Sequence, residues 1–157
     1  MLRVTKLADY GIIVLTYFAR NREAVWNARD IAQAIKLPLP VISKVLKLLS
    51  KEGLLKSQRG IKGGYSLALP PEEITVASII RAVEGPIAMT ECTYTAGECS
   101  LEPRCPVRTN WQMINYAIHS ALEQITLVQM TQPLQCPTIT LVPWSQSATK
   151  GLDYENC

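Results

Sequence analysis

Between Ile35 and Leu69 the chain is cut into short pieces by Pro38, Pro40, Gly53 and a turn at 59–64, and those cuts leave few folds open. Ahead of them, residues 5–20 carry Leu7, Ile12, Val14, Leu15 and Phe18 at close to helical spacing, with Thr5 placed to cap a helix. A second helix at about 28–35 starts after Asn27 and shows Ala28, Ile31, Ala32 and Ile35. After the break at 36–38 a third begins near Leu39 and Pro40. A first-turn proline costs a helix little, because its missing N–H would be unpaired there anyway. That helix stops at Gly53, a residue suited to a helix C-terminus.

Two short helices joined by a tight turn are the pattern of a helix-turn-helix. On the second helix, Val41, Val45, Leu48 and Leu49 are expected to face a core and Ser43, Lys44, Lys47 and Lys51 to face outward. Residues 54–57 and 65–69 then read as two strands around a turn containing Arg59, Gly60, Lys62, Gly63 and Gly64. Helix-turn-helix followed by a hairpin is a winged helix. The fold class expected is therefore mainly α with a small β-hairpin wing.

Charge agrees with this layout. Residues 1–65 hold 12 Lys/Arg against 4 Asp/Glu, a net of +8, whereas 66–157 hold 4 against 9, a net of −5. A basic head on an acidic remainder is the footprint of a nucleic-acid reader carrying a second module. Double-stranded DNA is the expected partner. The candidate contacts are Pro40, Ser43, Lys44 and Lys47 on the recognition helix, with Arg59 and Lys62 at the wing tip. Lysines hold phosphates more often than they read bases; Pro40 and Ser43, near the helix start, are placed for base edges.

Beyond 1–70, the reader, the pattern changes. Residues 74–84 suit an amphipathic helix capped by Thr75 and ended by Gly85 and Pro86. A long helix from about 106 to 130 shows Trp111, Ile114, Ile118, Leu122 and Ile125, then Val128, along one face. A stripe that long outside the head is expected to be a homodimer seam, since two recognition helices need a two-fold axis. The other reading is that it packs back on its own head. Residues 131–157, with Pro133, Pro137 and Pro143, read as an irregular tail.

Between the head and the long helix, the connecting segment 71–105 ends in a loop too interrupted by Gly, Pro and Thr to suggest regular structure. It carries Cys92, Cys99 and Cys105, with six and five residues between successive cysteines. Thiolates are soft ligands for iron–sulfur clusters, zinc or copper(I). Structural zinc sites use closer Cys pairs, so the open spacing favours a cluster, with zinc and bare redox thiols as the other readings. Cys136 and Cys157 lie past the long helix and receive no role.

Several of these stretches resemble one family. Thr5 and Lys6 with Asp9 and Tyr10, the wing at 59–67, the helix 75–85, and the cysteine loop leading into Trp111 are similar to the IscR/NsrR family of winged-helix regulators. Within it, the chain looks most like members that regulate the SUF iron–sulfur assembly system. The resemblance covers residues 1 to about 130. It implies a homodimer that binds a two-iron or, alternatively, a four-iron cluster through Cys92, Cys99 and Cys105, and whose cluster state tunes promoter binding. One position departs: where IscR-like members have a histidine three residues past the last cysteine, this chain has Arg108, which as a cation cannot coordinate. The single histidine, His119, lies 14 residues beyond Cys105, about 21 Å along a continuous helix. The resemblance to NsrR-like members makes Asp9, supplied by the partner subunit, the implied fourth ligand. Asp9 also suits an ordinary helix N-terminus, and Glu91, Glu98 and Glu102 are the competing carboxylates.

Other classes find no footing. The sequence shows no phosphate-cradling Gly-x-x-x-x-Gly-Lys and no nucleophile for the lone histidine, so an enzyme with a small-molecule substrate is not expected. The apolar runs near the start are broken by Lys6 and Asp9, which argues against a secretory signal. No stretch approaches the roughly 20 apolar residues of a membrane span. A cytoplasmic protein with reduced thiols is the expectation.

Overall fold

The computed structural model describes residues 4–22, 24–60, 63–94, 97 and 99–132. Lys62 at the wing tip, Glu98 in the cysteine loop, and Cys136 and Cys157 in the tail lie outside that set. Helix α1 spans Lys6–Arg20, and the Thr5 hydroxyl accepts the Ala8 N–H as its cap. Helix α2, Ala28–Ile35, is capped by Asn27, whose side-chain oxygen accepts the N–H groups of Arg29 and Asp30 at 3.0 and 2.9 Å. Lys36, in the left-handed conformation, ends α2 and turns the chain into α3, Leu39–Lys51.

The phase of α3 differs slightly from expectation. Ile42, Val45, Leu46 and Leu49 are buried, while Val41 and Leu48 are half-buried at the flanks. Both sets fit helical spacing, and the packing of α3 against α1 and α2 decides between them. The wing is an antiparallel pair, β1 (Leu55–Gln58) and β2 (Gly64–Leu67), with Leu55 opposite Leu67 and Gln58 opposite Gly64. A third segment joins it: Trp26 and Tyr65 exchange backbone hydrogen bonds of 3.0 and 2.8 Å. The Trp26 ring meets Tyr17 of α1 edge-on at 5.2 Å, so the wing is fastened to the head.

Helix α4 (Val76–Glu84) opens with a reciprocal cap between Thr75 and Ser78 and closes at Gly85. The cysteine loop is more regular than the sequence suggests. It holds a one-turn helix α5 (Glu91–Tyr94) and a 3₁₀ turn at Glu102–Arg104. Thr90 and Thr93 close α5 locally, the Thr93 hydroxyl donating to the Thr90 carbonyl at 2.8 Å.

The long helix ends earlier than its stripe implies. Helix α6 covers Arg108–Gln124; Ile125 is extended, and a separate α7 runs Leu127–Thr131. The break is held by two backbone bonds to the head, Val76 N–H to Ile125 C=O at 2.8 Å and Leu127 N–H to Ile74 C=O at 2.7 Å. They place Leu127, fully buried, in the main core with Phe18, Leu15, Ile42, Leu46 and Ile79. Leu122 and Ile125 pack on a second cluster of Ala8, Val76 and Ile80. The end of the stripe therefore serves its own head. Periodicity could not reveal the break, because Ile125 and Val128 continue the spacing of the stripe across it.

Candidate nucleic-acid interface and cysteine loop

The first half of the site is a cationic face. Pro40, Lys44 and Lys47 are exposed on α3 and Ser43 is half-buried; Arg59 is exposed just past β1. The ion pairs among the described residues join Arg22 to Glu72 and Arg108 to Glu102, and His119 Nδ1 lies 3.5 Å from Glu123, so none takes a cation of α3 or the wing. Unpaired lysines and an arginine on one recognition helix and one hairpin can neutralise phosphates. Sequence reasoning passed over Arg29 and Lys56, both exposed. The charge census of residues 1–65 contained them, but only the fold shows that they point outward.

Two glycines of the wing sit where no side chain fits. A side chain on Gly63 would strike the Gln58 carbonyl oxygen, and one on Gly64 would lie 2.6 Å from the Trp26 carbonyl oxygen. They let the hairpin close and dock on the head. Gly60, at φ +116°, is the position where the turn needs left-handed backbone.

The second half is the loop between α4 and α6. Cys92, Cys99 and Cys105 are free thiols, each half-buried. Cys92 lies on α5 with its sulfur 3.2 Å from the Thr90 hydroxyl. Cys99 and Cys105 flank the 3₁₀ turn, and the Cys99 carbonyl accepts the Glu102 N–H at 3.0 Å. The start of the loop is tied to α6 by the Met89 N–H, which donates to Asn115 Oδ1 at 3.1 Å.

Carboxylates at the loop stand in contrasting states. Glu102 is buried, 7% exposed, and the only buried charged side chain among the described residues. Its Oε1 lies 2.6 Å from Arg108 Nη2 and its Oε2 accepts the Gly97 N–H at 2.6 Å. Glu91 is exposed on α5. Asp9 is exposed on the first turn of α1 and forms no ion pair among the described residues. The start of α1 is pinned to the root of the cysteine loop, since the Thr5 N–H donates to Glu84 Oε1 at 3.0 Å.

His119 is paired with Glu123 at 3.5 Å and lines a small cavity with Arg81 and Ser78, away from the cysteines. Among the described residues no three His, Cys, Asp or Glu side chains converge where a single metal ion could sit. The donor set, three free, half-buried thiols on one loop, fits an iron–sulfur group by its chemistry.

A family comparison gives this geometry its context. The sequence profile of Rrf2, described as an iron-dependent transcriptional regulator, matches residues 4–133. The chain belongs to the Rrf2 family. It is 35% identical over 130 residues to the HTH-type transcriptional regulator IscR of Aliivibrio salmonicida, spanning 82% of this chain and 77% of that one. It is 33% identical over 124 residues to NsrR of Geobacillus kaustophilus, spanning 78% and 80%. Among solved structures, CymR, the global cysteine regulator of B. subtilis, superposes with a TM-score of 0.65 at 30% identity, covering 83% of this chain and 97% of that one. IscR of T. potens does so at 0.61 and 30%, covering 82% and 85%. This Rrf2 chain is thus a winged-helix transcription regulator and not an enzyme, as its sequence suggests. No helix among its described residues is long and apolar enough to cross a membrane.

On α6, no residue is buried; Ile114 is 44% exposed, and Trp111 and Ile118 are half-buried. Of the five stripe residues expected at a dimer seam, Trp111, Ile114 and Ile118 pack on neither buried core cluster of the chain, while Leu122 and Ile125 pack on its second.

Proposed function

We propose that this Rrf2 regulator is a cytoplasmic homodimeric repressor of iron–sulfur assembly genes, of the SUF type, whose operator binding is set by an iron–sulfur cluster. Cys92, Cys99 and Cys105 would hold the cluster, a two-iron form in the first reading and a four-iron form in the second, with Asp9 of the partner subunit as the oxygen ligand. The observation that carries the proposal is the set of three free, half-buried thiols on one loop whose two ends are α4 and α6. The likeness to IscR at 35% identity favours cluster supply as the signal.

The chain's own residues would do the rest. Trp111, Ile114 and Ile118 on α6 would form the seam, because a 17-residue helix with nothing buried gains its stability from packing elsewhere. Pro40 and Ser43 would face base edges, and Lys44, Lys47, Arg59 and Lys62 would hold phosphates. Residues 1–70 are the reader, 71–105 the link and sensor loop, and 106–130 the dimerisation segment. When bound, the cluster supplies a redox-active, chemically labile centre, and a carboxylate ligand weakens its hold. Asp9 sits on α1, which packs against α4, so an Asp9 drawn to the other subunit's loop would fix the relative placement of the two heads. Half-site spacing follows from that placement.

A second reading, nitric-oxide or redox-stress sensing by the same loop, is favoured by the 33% identity to NsrR and by Arg108 standing where IscR-like members have a histidine. The experiment is metal and sulfide analysis with an absorption spectrum on protein purified without oxygen, for wild type and Asp9→Ala. Equal iron and sulfide in a brown wild type, and faster cluster loss in Asp9→Ala, are expected. Colourless protein with one zinc per subunit would remove the cluster reading; unchanged stability in the variant would remove Asp9.

A further inference from the structure

We infer that Glu102 and Arg108 form a pin that shapes the cysteine loop before any metal arrives, and that Glu102 is thereby a positioning residue and not a ligand. The inference takes the loop to be the cluster-binding element proposed above; the pin itself is a property of the metal-free chain. Three observations carry it.

The first is where the contacts fall in the sequence. Gly97 lies between Cys92 and Cys99, Glu102 between Cys99 and Cys105, and Arg108 just past Cys105. One carboxylate joins all three, through Oε2 to the Gly97 N–H at 2.6 Å and through Oε1 to the Arg108 guanidinium at 2.6 Å. Gly97 and the 3₁₀ turn at Glu102–Arg104 are thereby tied to the start of α6. They enclose a shallow cleft of about 410 Å³ lined by Gly97, Cys99, Ser100, Glu102, Pro103 and Arg108.

The second observation is the position of Arg108. It is the first residue of α6, where the helix dipole disfavours a cation. Its Nε is buried without a hydrogen-bond partner, a further cost. An arginine left to itself would swing into solvent. Holding it against the loop takes a buried anion, and Glu102 is that anion.

The third is the state of Glu102. A carboxylate 7% exposed is tolerable only when its charge is paired and its oxygens are hydrogen-bonded. Turning either oxygen toward iron would set the metal in competition with the Arg108 guanidinium or the Gly97 N–H for that oxygen. Glu102 is therefore committed to the loop, and the oxygen ligand is left to a carboxylate that is free to move, such as Asp9. Gly97 itself, at φ +89°, is in a conformation that favours glycine, so the turn that presents its N–H is built into the sequence.

The test is amide hydrogen exchange on metal-free protein for wild type, Glu102→Ala, Arg108→Ala, the double variant and Arg108→Lys. Removing a charge-assisted hydrogen bond should speed exchange at Gly97 by roughly tenfold or more in both single variants. The double variant should be no worse than the worse single, and Arg108→Lys, which keeps the charge, should recover part of the protection. Gly97 exchange unchanged in both single variants would overturn the pin. On reconstituted protein, Glu102→Ala and Arg108→Ala should keep the wild-type ligand signature in absorption and resonance Raman spectra while losing iron to a chelator several-fold faster. A new ligand signature in Glu102→Ala alone would make Glu102 a ligand and overturn its positioning role. If no variant and no wild type takes up iron, the cluster reading fails by itself, and the exchange data still decide the pin.

Discussion

Replacing Gly64 with alanine tests how the wing is held on the head. The added methyl would lie 2.6 Å from the Trp26 carbonyl oxygen, 2.7 Å from its carbonyl carbon and 3.0 Å from Val25 Cγ1. Comfortable carbon contacts begin near ~3.5 Å, so β2 must retreat by roughly an ångström from a backbone that cannot rotate away. The retreat stretches the two Trp26–Tyr65 hydrogen bonds, now 3.0 and 2.8 Å. At about 0.5–1.5 kcal/mol for each bond and about 1–3 kcal/mol for overpacking, the variant should lose about 2–6 kcal/mol. That is a large part of the roughly 5–15 kcal/mol by which a domain is stable. Urea unfolding should show a lower midpoint with an unchanged slope. Binding to a random-sequence DNA duplex, measured against salt, should weaken and lose about one unit of slope for each wing phosphate contact released. A midpoint that leaves stability within about 0.5 kcal/mol of wild type, the range of an uneventful surface substitution, would refute the reasoning: the wing would then be free to slide off Trp26 without cost.

Lys44→Ala and Lys47→Ala should each reduce the salt slope of duplex binding by about one unit without changing the unfolding midpoint; a lysine whose loss leaves the slope intact does not touch phosphate. Ile114→Glu should convert the proposed homodimer to folded monomers in sedimentation, because Ile114 is exposed and packs on neither core cluster of its own chain. Leu127→Ala should do the reverse, leaving association intact while destabilising each head by about 2–5 kcal/mol, since Leu127 is fully enclosed by the head core.

Much of the head was readable from local chemistry. The bounds of α2 follow from Asn27 ahead of an apolar repeat, and those of α4 from Thr75 in front and Gly85 behind. The wing followed from its turn residues, to within one residue at each end of the first strand and two at the end of the second. What escaped were features made by residues distant in sequence. The third member of the wing sheet, Trp26, lies more than thirty positions before Tyr65 and carries no strand pattern of its own. The early end of α6 is set by Ile74 and Val76, about fifty residues upstream. At the candidate site, the three cysteines and the cationic residues were legible as residue types, because thiols and unpaired cations declare their chemistry. The Glu102–Arg108–Gly97 contact was not, because the same glutamate reads equally well as a ligand, a solvated charge or a pin until its burial is known.

By itself, then, the sequence determined the order of helices and hairpin, the basic character of residues 1–65 and a loop with three thiols, all of which depend on spacing and side-chain chemistry within a few turns. Only the tertiary structure decided which loop carboxylate is enclosed and which stays exposed, and that Leu127 belongs to the head while Ile114 is left for another surface. Those outcomes turn on burial. Burial is a property of the whole packed chain, and it fixes whether a charge must be paired and whether an apolar residue still needs a partner.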